Sequence, residues 1–190
     1  TEEPRAIRLA DYREPEFHIE KVALDFALDP DATHITARLT MTRRVAGAPL
    51  VLLGEGLKLV SIRLDDQVLA ADAYSVDSES LTVARVPDRV TLETVCEIAP
   101  AANTALEGLY LSNGMFCTQC EAEGFRRITY FLDRPDNLAI FTTRIEAARA
   151  QDSVLLSNGN CKAFGELPEA WHFAGGNDPI PKPSYLFALV

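Results

Sequence analysis

Apolar residues at every second position constrain this chain more than any other feature of it. Val22, Leu24, Phe26 and Leu28 alternate with Lys21, Ala23, Asp25, Ala27 and Asp29, which is the two-residue period of a strand with one buried face. After the turn signal Asp29-Pro30-Asp31, Ile35, Ala37, Leu39 and Met41 alternate again, so the two segments are expected to form a hairpin.

The pattern returns in Val60, Ile62 and Leu64 before Asp65-Asp66, in Leu81, Val83 and Val86 before Pro87-Asp88, and in Val90, Leu92 and Cys96 up to Ile98. Short alternating runs separated by Asp, Pro and Gly turns predict an all-β chain with mainly antiparallel sheets. Further strands are expected over Ile140–Ala147, Ser153–Asn158, Cys161–Glu166, Trp171–Ala174 and Tyr185–Val190, with loops at Ser157–Asn160 and Gly175–Pro179. Helical periodicity is almost absent. Short helices are expected only over Asn103–Leu109 and near Arg134–Asn137, where Pro135 suits a first helical position. No linker or repeat divides the sequence, so residues 1–190 are expected to be one domain. The final apolar strand runs to the last residue without a polar tail, as in a chain that continues into a further domain.

A length of 190 residues suffices for a core, since a chain of this size buries about 70% of its unfolded surface. With 47% hydrophobic and 24% charged residues, disorder is excluded. The longest uncharged apolar runs, Ala48–Gly54 and Ser184–Val190, fall short of the roughly 18 residues of a membrane helix. The start, Thr1-Glu2-Glu3-Pro4-Arg5, lacks the basic and apolar stretches of a secretory signal, and a cytoplasmic location is expected. Nucleic acid is a poor partner for a net charge of -10 whose adjacent basic pairs are Arg43-Arg44 and Arg126-Arg127.

Cys117-Thr118-Gln119-Cys120 is a C-x-x-C, which suggests redox or zinc chemistry. A redox pair sits between a strand and a helix, and structural zinc needs a second ligand pair that Cys96 and Cys161 do not offer. An extended segment also points Cys117 and Cys120 to opposite faces, so both are expected to be small buried thiols. His18, His34 and His172 are scattered and begin no H-E-x-x-H. Gly54-Glu55-Gly56 lacks a third glycine and a βαβ setting, and is a turn. Gln119 and Glu121 alternate onto one face of an extended stretch, with Glu123 next. Spacing alone makes these a solvated surface.

Gln119-x-Glu121-Ala122, then Arg126, then Leu132-Asp133-Arg134-Pro135-Asp136 resemble the signature of the zinc-dependent aminopeptidase N family, its bacterial members above all. Asn103–Tyr110, Leu155–Asn160 and Pro181–Ala188 resemble it as well, in the same order and spacing. The resemblance implies a saddle-like or sandwich-like N-terminal β domain of antiparallel and mixed sheets, packed against a thermolysin-like catalytic domain. It assigns Glu121 to the α-ammonium group of peptide substrates with a free N-terminus, and Gln119 to the pocket for the first side chain. A desolvated carboxylate suits an ammonium group.

The family's G-x-M-E-N loop and its H-E-x-x-H helix are missing from this sequence, whose methionines are Met41 and Met115. The resemblance therefore implies an N-terminal domain that binds no zinc and carries no catalytic residue, with zinc held elsewhere in a parent enzyme that releases N-terminal amino acids from peptides. Two other readings stay open: a stand-alone β-sandwich binding module, and a redox or metal-binding protein using Cys117 and Cys120.

Overall fold

The computed structural model describes residues 8–150 and 154–190. The Thr1–Arg5 start, and Ser153 at the head of the expected strand Ser153–Asn158, lie outside the described residues.

Strands β1 (Phe17–Ala27) and β2 (Thr33–Arg43) form the expected hairpin. Val22 faces Leu39, Leu24 faces Ala37 and Phe26 faces Ile35, and all six are buried. The Asp29 carboxylate holds the turn, accepting from the backbone of Asp31 at 2.9 Å and Ala32 at 3.0 Å, as an Asx turn does.

The chain continues through β3 (Leu50–Leu53), β4 (Lys58–Leu64), β5 (Gln67–Val68), β6 (Tyr74–Val76), β7 (Ser80–Val83) and β8 (Arg89–Ile98). There follow β9 (Gly108–Ser112), β10 (Met115–Gln119), β11 (Ala139–Ala148), β12 (Asn160–Glu166) and β13 (Trp171–Lys182). Eight of these form one sheet in the order β12-β13-β11-β1-β2-β8-β4-β5, three form β3-β7-β6, and β9 pairs with β10. Only β1 and β11 run parallel within the large sheet, so the architecture is all-β and mixed. Among the described residues the helices are short 3-10 turns, and none is long and apolar enough to cross a membrane.

Four expectations fail, each for a local reason. Gly175–Pro179 lies within strand β13, because Gly175, Gly176 and Asn177 are paired on both sides by β11 and β12 and Asp178 is paired by β11; sheet context overrides the loop-forming side chains. Asn103–Leu109 is no helix: Asn103 Nδ2 donates to the carbonyls of Glu107 at 2.8 Å and Leu109 at 2.9 Å, competing with helical bonding. Arg134–Asn137 is a single turn, since Asn137 turns its amide onto the backbone of Ile19 at the head of β1. Val60 is exposed while Ile62 is buried, because a register shift between Leu59 and Ser61 breaks the alternation in β4.

The C-terminal expectations also change. Residues 154–158 and 187–190 form no full strands. They meet through Leu156 and Val190, which exchange backbone bonds of 2.8 and 3.0 Å, and through a single bridge between Ser157 and Leu189. Ser184–Leu186 is a 3-10 turn.

Phe125, Phe131, Phe141 and Phe187 form the aromatic centre of one continuous core. Phe125 meets Phe131 edge-on at 4.9 Å and Phe187 at 5.5 Å between ring centroids, the arrangement favoured by ring quadrupoles. Phe125 belongs to the turn that follows Glu121, so the candidate site is anchored directly in the core.

Candidate functional site

The β9–β10 hairpin, which periodicity did not reveal, presents Gln119. Its turn, Asn113-Gly114, has φ of 51° and 82°, the left-handed pair that a two-residue hairpin loop requires. That dipeptide between apolar residues was the signal available in the sequence. Gln119 pairs with Gly108 at the last rung.

The chain then makes a tight loop. Cys120 turns inward and is buried, while Glu121, Ala122 and Glu123 are exposed. The Gly124 amide donates back to the Cys120 carbonyl at 3.0 Å, closing the loop, and Gln119 Nε2 donates to the Glu121 carbonyl at 3.1 Å. That bond brings Gln119 and Glu121 together on a tight turn, not on one face of the extended stretch their spacing predicts, because β10 ends at Gln119 and residues 121–123 turn.

The 3-10 turn Gly124–Arg127 comes next. Its arginines face away from Glu121 chemically: Arg126 Nε is 2.9 Å from Asp133 and Nη1 3.4 Å from Glu123, while Arg127 pairs with Glu55 at 2.7 Å and Glu107 at 3.2 Å. Among the described residues no ion pair engages the Glu121 carboxylate. Glu121 lines a cavity of about 290 Å³ together with Ala122, Glu123, Asp133, Pro135 and Tyr185.

The C-x-x-C is not a paired site. Both sulfurs are free thiols, Cys117 on β10 partly exposed and Cys120 buried; Cys117 departs in that respect from the expected burial. Burial and the nearby Asp133 charge push the Cys120 thiol up to about 12, so it is protonated and inert at neutral pH. Among the described residues no three His, Cys, Asp or Glu side chains gather as metal ligands. Asp133 and Ser184, to which spacing gave no role, prove to be linked to the site.

Comparison with known proteins bears on the family and the fold. Residues 23–186 match the Peptidase M1 N-terminal domain. The chain is 56% identical to aminopeptidase N of Caulobacter vibrioides and 50% identical to that of Escherichia coli, in each case over 100% of this chain and 22% of the relative. It thus spans about a fifth of the length of these curated relatives. Among solved structures, Legionella pneumophila aminopeptidase A in complex with aspartic acid superimposes with a TM-score of 0.90 at 37% identity, over 96% of this chain and 22% of that one. An M1 zinc metallopeptidase from Deinococcus radiodurans shares the fold, with a TM-score of 0.79 at 16% identity over 93% of this chain and 42% of that one. Because that family model covers most of the chain and the two bacterial relatives match over its full length, the chain belongs to the Peptidase M1 N-terminal domain family.

Proposed function

We propose that residues 1–190 act as one domain of a cytoplasmic, zinc-dependent aminopeptidase, and that Glu121 receives the α-ammonium group of the peptide substrate while Gln119 lines the pocket for its first side chain. The observation that carries this reading is the unpaired Glu121 carboxylate on a cavity wall, beside acidic groups that are already matched: Glu123 and Asp133 to Arg126, Glu55 and Glu107 to Arg127. A free acceptor among satisfied ones is available to a cationic ligand, and a charge-assisted hydrogen bond to an ammonium group is short and directional. Removal of water around it by the rest of the parent strengthens that attraction.

Holding the amine fixes where the first peptide bond lies, and such positioning is a large part of catalysis. The bond-breaking residues and the zinc belong to the catalytic domain of the parent, which is also this domain's partner. No step through the metal falls to this chain.

Inhibition of the native protein by an amino acid amide, compared with its Nα-acetylated analogue, tests the reading. The wild type is expected to bind the free amine far better than the blocked one, and Glu121→Gln to lose most of that discrimination. Equal discrimination by both proteins would place amine recognition elsewhere.

A further inference from the structure

Asp133 is enclosed, with none of its side chain exposed, and a buried carboxylate persists only where its oxygens are matched. Oδ2 accepts from the Arg126 backbone amide at 3.2 Å and from Arg126 Nε at 2.9 Å. Oδ1 accepts from the buried Ser184 hydroxyl at 2.8 Å. The donors come from two separate stretches, the turn that follows the Glu121 loop and the turn that follows β13.

Residues beside both stretches line one cavity. Glu121, Ala122 and Glu123 precede the Arg126 turn, whereas Tyr185 follows Ser184 and Pro135 lies two residues beyond Asp133. The Asp133 charge, after burial, also helps to raise the thiol of Cys120, the residue before Glu121. The loop is also restrained by the Gly124 to Cys120 backbone bond, the Gln119 amide on the Glu121 carbonyl, the Glu123 pair with Arg126 and the packing of Phe125 on Phe187. Nothing else among the described residues ties the far side of the loop to the Tyr185 wall through charge.

We propose that Asp133 is a positioning residue, a buried clamp joining Arg126 to Ser184 that sets the depth of the Glu121 carboxylate in the cavity. This inference rests on the reading of Glu121 as the amine acceptor. A clamp that serves only stability weakens the domain whatever residue stands at 121. A positioning clamp matters only while Glu121 has a charge to place.

A double-mutant cycle in the native protein separates the two, with kcat/KM measured on an amino-acyl anilide and folding checked by circular dichroism. Asp133→Asn keeps the shape and removes the charge; it is expected to lower kcat/KM by about 10-fold or more beside Glu121, and by less than about 2-fold in the Glu121→Gln background. Ser184→Ala removes one donor and is expected to show the same pattern at about 3-fold. If Asp133→Asn does not fold, Ser184→Ala carries the comparison alone. Equal losses in both backgrounds, or no loss beside Glu121, overturn the clamp while leaving the Glu121 reading intact. A Glu121→Gln protein with undiminished kcat/KM overturns that reading and the clamp with it.

Discussion

A methyl group on Gly124 would stand 2.4 Å from the backbone carbonyl oxygen of Gln119. The two ends of the Glu121 loop are therefore packed backbone to backbone, with no room for a side chain between them. Gly124→Ala is expected to cost about 1 to 3 kcal/mol through the forced shift, read as a lower urea midpoint at unchanged slope. Gly175→Ala, whose nearest contact is an ordinary 3.7 Å from Thr143, is expected to stay within about 0.5 kcal/mol. Equal losses at both positions would contradict the close approach.

Phe125 couples the loop to the core. Its ring contacts Phe131, Phe141 and Phe187 and has no exposed surface, so Phe125→Ala is expected to destabilise the domain by about 3 to 5 kcal/mol. Chemical denaturation measures this directly. A loss below about 1 kcal/mol would mean that the aromatic cluster closes over the gap, against the usual cost of a core cavity.

The cysteines are expected to separate by reactivity. At pH 8, Cys161, which is exposed, is expected to be alkylated first and Cys117 next, with Cys96 and Cys120 modified only after unfolding; peptide mass spectrometry reads the order. Burial moves Cys96 from the ordinary thiol value near 9 up to about 11, and Cys120 up to about 12. Because both folded values are raised, the contribution of these thiols to stability is complete below about 9 and is lost as pH rises toward 11 and 12. Early alkylation of Cys120 in the folded chain would contradict its burial.

Much of the fold was legible because one physical signal dominates it. The β1–β2 hairpin follows from its alternation and from an Asp that bonds its own turn. β13 is not legible over its full length, because Gly175, Gly176 and Pro179 favour loops locally, while the pairing of Gly175 and Gly176 comes from β11 and β12, outside the segment itself. The helix expected over Asn103–Leu109 failed because one Asn side chain takes the carbonyls a helix would use. At the site, Gln119 and Glu121 were visible as a spacing and acquired a role only through resemblance. The Asp133 clamp was not legible, since Arg126, Asp133 and Ser184 meet only in the folded chain.

The 190-residue chain by itself is expected neither to hydrolyse an amino-acyl anilide nor to retain stoichiometric zinc after dialysis. Metal analysis and a direct activity assay of the purified chain check both halves of that expectation. Zinc-dependent turnover by this chain alone would contradict the proposal that the catalytic residues and the zinc lie elsewhere in a larger enzyme.

The most direct test of the account is kcat/KM of the native protein with Glu121→Gln, measured on several amino-acyl substrates alongside zinc content. Removing one charge from a buried pair costs about 2 to 5 kcal/mol, so a loss of about 30-fold to several thousand-fold is expected, in kcat as well as KM, with zinc unchanged. Gln119→Ala is expected to lose less, by an amount that varies with the first side chain. Undiminished kcat/KM in a fully zinc-loaded Glu121→Gln protein would show that the substrate's amine is held by another group.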